Sequence, residues 1–258
     1  WVNGRNSSCG LTYGAGGSTR HTTVAITGRI AAETSLTPMA HLTCVGHTRA
    51  ELDSILASYR TAGIENVLAL RGDPPGGPGT PWRATEGGLT YADELVALVA
   101  RSGAFSVGVA AFPEGHREAE SLERDVQVLL AKERAGAEFA ITQLFFRAES
   151  YFDMVQRFRA LGGTLPIVAG IMPVTNLGQI QRFTDMAGDI MPADLVRALR
   201  AASDDPARLR EVGIDWMTRL CDDLLAEGVP GLQFFTLNRS RATSEILARL
   251  RQIPPHRA

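Results

Sequence analysis

The sequence predicts an α/β fold, a (β/α)8 barrel whose first βα unit is missing, and three observations carry that prediction. Five segments repeat one layout of amphipathic stretch, glycine, short spacer and β-rich run: "TAGIENVLAL", "RSGAFSVGVAA", "RAGAEFAITQLF", "ALGGTLPIVAGI" and "AEGVPGLQFFTL". Two earlier runs, "CGLTY" and "AHLTCV", bring the strand candidates to seven at helix-sized intervals, one short of the eight that close such a barrel. No composition shift or linker marks a domain boundary, so residues 1–258 read as a single domain behind an irregular segment 1–8. A doubly wound open sheet is the rival, but it usually carries a phosphate fingerprint after its first strand. The run "YGAGGSTR" there lacks GxGxxG spacing and reads as a turn feeding a helix.

Each element follows from local chemistry. The repeated Gly63, Gly103, Gly136, Gly162 and Gly228 sit where a helix needs a left-handed residue to end, and a strand follows each. In "HTRAELDSILASYRTAG", Leu52, Ile55, Leu56 and Tyr59 recur at i, i+3, i+4 and i+7, and Thr48 with Glu51 has capping-box spacing. "LTYADELVALVARSG" reads the same way, with Thr90 and Asp93 three apart and Leu95, Leu98 and Val99 on one face. Further helices are expected near 19–31, 118–135, 149–161, 176–186, 205–227 and 241–250.

Composition narrows the function classes. A chain of 258 residues, 45% hydrophobic, can bury a core without disulfide or metal staples. Cys9, Cys44 and Cys221 are an odd number at unrelated spacings with no zinc pattern, which favours a reducing, cytoplasmic setting. A formal charge of −2 suggests neither nucleic acid nor a membrane surface as partner, and no apolar run approaches the ~20 residues of a bilayer span. "WVNGRNSSCG" has no apolar signal-peptide region.

In parallel βα folds chemistry gathers where strands end. The residues there are Tyr13, His41, Thr43, Arg71, Asp73, Phe112, Glu114, Gln143, Met172, Thr236 and Asn238. His41 and Thr43 alternate with Leu42 and Cys44 and so share one face of their strand. A lone strand histidine is ordinarily a satisfied core residue, but the neighbouring strand, "NVLAL", ends in Arg71-Gly72-Asp73, which shifts the balance. That triplet reads either as a turn opened by Asp and Pro or as one wall of a binding site. Asp125 and Lys132, seven apart at the edge of an apolar helix face, read by default as an exposed charged flank.

Taken together, "LTYGAGGSTR", "HLTCVGHT", "GIENVLALRGDPP", "TYADELV", "VAAFPEGH", "AGAEFAITQLFF", "GIMPVTN" and "FFTLNRS" resemble, in order and from about Leu11 onward, methylenetetrahydrofolate reductase of the bacterial type. The resemblance implies a (β/α)8 barrel carrying FAD at its C-terminal strand ends. It implies reduction of 5,10-methylenetetrahydrofolate to 5-methyltetrahydrofolate with NADH or NADPH, in one-carbon metabolism and methionine synthesis. Carried over by motif, Thr12, His41, Arg71, Gly72, Asp73, Tyr91, Ala110, Phe112, His116, Asp125 and Lys132 would face the flavin. This replaces the exposed-flank reading of Asp125 and Lys132 with contacts to the cofactor's phosphate and ribityl region. Asp73 would stand between flavin and folate, Gln143 would meet both substrates in turn, and Gln179, Phe235 and Arg239 would hold the folate.

Two departures from the family pattern stand out. The Phe-Glu-Phe-Pro-Pro-like segment of the family's first strand, whose glutamate is the general acid, is absent from this sequence, so the chain reads as N-terminally incomplete. Phe112 stands where many relatives have tyrosine, removing one hydroxyl near the flavin, worth ~1 kcal/mol. The rivals are a non-catalytic remnant that binds flavin or folate, and another flavin or folate barrel such as a proline dehydrogenase or a methyltetrahydrofolate methyltransferase. NADH and NADPH are not distinguished, and a homo-oligomer is compatible with the sequence.

Overall fold

A computed structural model describes residues 8–11, 20–74, 76, 80–178, 180–182 and 191–252. The seven strands are β1 (Ser8–Leu11), β2 (Thr37–Thr43), β3 (Asn66–Leu70), β4 (Ser106–Ala111), β5 (Phe139–Thr142), β6 (Ile167–Ile171) and β7 (Leu232–Phe234). They are ordered β1-β2-β3-β4-β5-β6-β7, each beside its neighbour in sequence. A doubly wound sheet reverses its order at a switch point, so sequential order decides against that rival and matches the progression of a βα barrel.

The chain divides into two compact units. The first comprises Trp1–Ala110, Gln127–Ala140 and Gly163–Pro166; the second comprises Ala111–Val126, Ile141–Gly162 and Ile167–Ala258.

In the first unit, β1 to β4 pair in parallel, with Leu11 beside Ala40, His41 beside Leu68, and Leu68 beside Gly108. Parallel strands need a crossover between them, and helices supply it. Helix α1 (Arg20–Glu33) precedes β2, α2 (Arg49–Thr61) precedes β3 and α3 (Ala92–Arg101) precedes β4. Helix α2 buries Leu52, Ile55, Leu56 and Tyr59, the stripe its periodicity predicts. Its start is the expected capping box: the Glu51 N–H donates to Thr48 Oγ1 at 3.3 Å and the Thr48 N–H to Glu51 Oε2 at 2.8 Å. Helix α3 begins differently from the expected Thr90–Asp93 device. Its N-cap is Tyr91, and Glu94 reaches back to accept from the N–H groups of Thr90 and Tyr91 at 2.6 and 2.8 Å. The longer glutamate stem spans a distance that Asp93 cannot.

Helix α4 (Leu122–Arg134) buries Val126, Leu129 and Leu130. It starts at Leu122 rather than near 118, because Ser121 accepts the Arg124 N–H at 3.1 Å in the manner of a cap.

In the second unit, α5 (Ala148–Ala160) follows β5, and β6, buried along its whole length, pairs in parallel with β7. Tyr151 of α5 donates to the Ile167 carbonyl at 2.6 Å, and Thr142 Oγ1 accepts the Gly170 N–H at 2.8 Å. Helix α6 (Ala193–Ala201) was not expected from sequence; only Leu195 and Leu199 are buried, a stripe of two that Pro192 and the polar run before Pro206 obscure. The helix expected at 176–186 is present at 177–178 and 180–182; Gln179 and 183–190 lie outside the described residues. Helix α7 (Pro206–Ala226) begins with Asp205 accepting from the N–H groups of Ala207 and Arg208, and α8 (Ser240–Leu250) closes the described chain. Arg210 and Arg249 share Glu245 between these two helices at 2.6 and 3.1 Å, and Arg249 also pairs with Asp215.

The five repeat glycines all have positive φ, from 62° at Gly103 to 112° at Gly136, as helix termination requires. Ser8 belongs to β1, so the irregular segment expected over 1–8 ends before it, and 1–7 lie outside the described residues.

Two glycines separate the two reasons for lacking a side chain. A Cβ at Gly213 would lie 1.9 Å from the Val174 carbonyl oxygen, whereas Gly162 has open space around it but φ +82°. Gly213→Ala should therefore lose about 1–3 kcal/mol through forced separation of α7 from Val174, and Gly162→Ala about 1 kcal/mol through left-handed strain. Urea unfolding measures both; a Gly162→Ala loss equal to or above that of Gly213→Ala would contradict the packing argument.

Candidate active site at the strand ends

On β2, the face carrying Met39 and His41 looks across to Gly10 of β1. A Cβ at Gly10 would come within 3.2 Å of Met39 Cε and 3.5 Å of His41 Nε2, so the absent side chain leaves room for the imidazole. His41, Leu68 and Gly108 are aligned in register, and the Phe139 ring lies over Gly108, where a Cβ would sit only 2.5 Å from it. Burial pushes the His41 imidazole down to about 4, so at neutral pH it is uncharged.

One step toward the strand ends, Thr43 is 5% exposed and its Oγ1 has no hydrogen-bond partner among the described residues. Bonding between β2 and β3 continues past the end of β2: the Cys44 N–H donates to Leu70 O and the Val45 N–H to Arg71 O, both at 3.1 Å. It delivers Gly72 against the tip of β2. Gly72 has φ +85°, and a Cβ there would lie 2.5 Å from Val45 Cγ1 and 3.0 Å from Thr43 Cβ, so conformation and space both demand glycine. Asp73 then emerges exposed, followed by a buried Pro74. The triplet is thus an extended exit from β3 with one left-handed residue, Gly72, rather than the turn expected, and Asp73 is exposed.

Trp82 completes this corner, and the sequence reading missed it. Its indole N–H donates to the Gly72 carbonyl at 3.2 Å and the Arg71 guanidinium lies over its ring, 5.4 Å from the centroid. The one available signal was a bulky aromatic in a Pro/Gly-rich loop. Tyr91, at the start of α3, is 62% exposed. Its carbonyl accepts from the Cys44 thiol at 3.5 Å; burial pushes Cys44, like Cys221, up to about 12, so neither is a nucleophile at neutral pH.

Lys132 on α4 corrects the exposed-flank reading. It is 7% exposed and its ammonium donates to the Ala110 carbonyl at 2.9 Å, at the C-terminal end of β4. Asp125, in the first turn of the same helix, is half-buried.

In the second unit, Phe112 and His116 meet edge to face with centroids 4.8 Å apart. His116 Nδ1 accepts the Glu118 N–H at 3.2 Å, which leaves Nε2 as the position for the ring proton. Gln143 follows β5; its N–H donates to Ala111 O at 2.8 Å and its Oε1 accepts from Leu144 at 3.0 Å. The Phe235 ring lies where a Gly170 Cβ would be within 2.8 Å, and the Phe235 N–H donates to Ile171 O at 2.8 Å. Arg239 is the exposed N-cap residue of α8, reached through Leu237 and Asn238 at φ 49° and 60°. Thr12 and Gln179 lie outside the described residues. The structure therefore brings Arg71 and Gly72 against Thr43 and Val45 where β2 and β3 end, with His41 two residues before the end of β2 and opposite Leu68, joins Lys132 to Ala110, and pairs Phe112 with His116. Among the described residues no cluster of His, Cys, Asp or Glu could hold a metal ion, and no helix is long and apolar enough to cross a membrane.

The depressed His41 pKa has a consequence for stability. Between pH 6.5 and about 4 the unfolded chain binds a proton at this position that the folded chain does not. Stability linked to His41 should be fully present above pH 6.5 and fall as the pH drops through that window. His41→Gln should flatten this part of a stability-versus-pH curve measured by urea unfolding; an unchanged slope would mean that His41 titrates normally.

Residues 3–251 match the family described as methylenetetrahydrofolate reductase. The chain is 37% identical over 236 residues to 5,10-methylenetetrahydrofolate reductase of Escherichia coli, covering 92% of this chain and 77% of that protein. It is 36% identical over 255 residues to methylenetetrahydrofolate reductase (NADH) 1 of Zea mays, covering 95% of this chain but 43% of the plant protein, so it spans less than half the length of that relative. Among solved structures, an uncharacterized Clostridium thermocellum protein that binds two copies of 5-methyl-5,6,7,8-tetrahydrofolic acid aligns with TM-score 0.55 at 12% identity, covering 94% of each chain. Oxaloacetate acetylhydrolase aligns with TM-score 0.53 at 11% identity, covering 98% of this chain and 76% of that one. At such identities the two structures speak for the α/β fold alone. The sequence relatives and the family match speak for descent: this chain belongs to the methylenetetrahydrofolate reductase family.

Proposed function

We propose that the chain is the reductase domain of a flavin-dependent enzyme that converts 5,10-methylenetetrahydrofolate to 5-methyltetrahydrofolate with NADH or NADPH. In this reading residues 1–258 form one cytoplasmic (β/α)8-type domain serving one-carbon metabolism and methionine synthesis. The observation that carries it is the corner where β2 and β3 end: a glycine with no room for a side chain is seated on Thr43 and Val45 and sets Arg71 and Asp73 on either side of it, on the strand pair that carries His41.

The residues present suit FAD. The orphaned Thr43 hydroxyl and the buried Lys132 ammonium are groups that gain from a polar, anionic ligand at the strand ends. FAD, when bound, supplies a two-electron carrier between the nicotinamide and the folate. Lys132 and Arg71 would hold its pyrophosphate, an anion that charge-assisted hydrogen bonds suit, with Asp125 and Thr12 toward the ribityl chain. His41, neutral at physiological pH, can donate or accept one hydrogen bond without adding charge. Gly72, Tyr91, Ala110, Phe112 and His116 would line the ring's surroundings. Asp73 would orient the pterin by accepting its N–H groups, Gln143 would meet each substrate in turn, and Gln179, Phe235 and Arg239 would hold the folate.

The test is anaerobic and uses the two half-reactions separately. The purified chain should take up FAD, lose flavin colour with NADH and regain it with methylenetetrahydrofolate. Bleaching without recovery would instead support a remnant that binds but does not turn over, and no flavin uptake would overturn the proposal. Lys132→Ala should weaken FAD about 10- to 100-fold in a fluorescence titration, the loss expected for a hydrogen bond to a charged group; unchanged affinity removes Lys132 from the site. Asp73→Asn should slow the folate half-reaction about 10- to 100-fold and the NADH half-reaction far less, and equal losses in both would refute its role toward the pterin.

A further inference from the structure

The link that presents Asp73 contains a built-in weakness. Gly72 must be glycine, because φ is +85° and a Cβ would meet Val45 Cγ1 at 2.5 Å. Glycine, however, also leaves the following peptide free to rotate, since no side chain restricts its ψ. That peptide is the one joining Gly72 to Asp73, so its rotation swings an exposed carboxylate.

Trp82 acts on this hinge from both sides. Its indole N–H donates to the carbonyl of the same peptide at 3.2 Å, which fixes the plane of the Gly72–Asp73 link. Its ring carries the Arg71 guanidinium 5.4 Å from the centroid, within cation–π range. The loop bearing Trp82 is itself moored to the segment after β2. The Gly46 N–H donates to Thr85 Oγ1 at 3.1 Å, the Arg49 N–H to Gly87 O at 2.9 Å, and Thr48 bridges Gly88. The indole is thus held by one anchored loop and holds another.

We propose that Trp82 is the positioning residue of this site: it locks the Gly72–Asp73 peptide so that the Asp73 carboxylate keeps one direction, and it steadies Arg71 through its ring. The catalytic part of this inference rests on the function proposed above; the structural part does not. Trp82→Phe divides the two contacts, since it keeps a ring for Arg71 and removes only the N–H.

The experiment has three arms. In the ligand-free chain, Trp82→Phe should move the Asp73 amide resonance in an 15N-correlation NMR spectrum, and in the wild type the Trp82 indole proton should exchange with water at least about tenfold more slowly than that of free tryptophan. An unmoved Asp73 amide or an unprotected indole proton overturns the proposal, and the second measurement holds even where the variant fails to fold. In the flavin-loaded chain, Trp82→Phe should slow the folate half-reaction about 10- to 100-fold, the scale of a misplaced group, with the NADH half-reaction changed less than about threefold. Combined with Asp73→Asn it should add no more than about threefold to the single Asp73→Asn loss, because both changes act through one carboxylate. Multiplying losses, or equal slowing of both half-reactions, would show that Trp82 supports the fold generally and overturn the proposal. A wild-type chain that takes up no FAD would overturn the proposed function, and the two NMR measurements would still decide whether Trp82 locks the hinge.

Discussion

The parallel ladder between β2 and β3 is the constraint on which the candidate site depends. It outlasts β2 by two hydrogen bonds, from Cys44 to Leu70 and from Val45 to Arg71, the second of which lies beyond β3 as well. A ladder that stopped at Leu70 would leave the next residues to loop freely. Instead the backbone of Arg71 is still bonded to Val45 and Gly72 is pressed against the same residue, so the polar triplet starts from a fixed point on the sheet. Two consecutive donors, Cys44 and Val45, mark where the regular ladder gives way.

The same economy appears in how helices are tied to strands. Tyr59 of α2 donates to the His41 carbonyl at 2.9 Å and Tyr151 of α5 to the Ile167 carbonyl at 2.6 Å. Each tyrosine fills the space between helix and strand with its ring and satisfies its hydroxyl on the main chain beneath, a bond worth ~1 kcal/mol net but costly to leave unmade. At His41 the tie also bears on chemistry, because it fixes the backbone from which the imidazole projects.

What the sequence revealed and what it hid divide along physical lines. Strand order, the five left-handed glycines and the stripe on α2 are one-dimensional signals, since each depends on spacing or on a single backbone angle. The positions of Arg71 and Asp73 just past β3 followed from the same periodicity, whereas His41 lies two residues inside β2 rather than at its tip. The N-cap of α3 was misplaced by one residue because both Asp93 and Glu94 are acidic and only reach decides between them. Helix α6 escaped notice because nine residues with two buried leucines barely exceed background periodicity. Lys132 looked like a surface charge, since burial of an ammonium against the Ala110 carbonyl is a property of packing α4 on β4 and leaves no mark on the helix pattern. Trp82 was invisible for the same reason: its meaning lies in what it touches ten residues away.

The two buried thiols carry one further implication. Burial pushes Cys44 and Cys221 both up to about 12, so at neutral pH the two stay as protonated thiols. Peroxide, alkylating agents and disulfide exchange all require the thiolate anion, so these two sulfurs are chemically silent in the folded chain. Thiol labelling at Cys44 or Cys221 therefore waits on local opening and can serve as a clock for it.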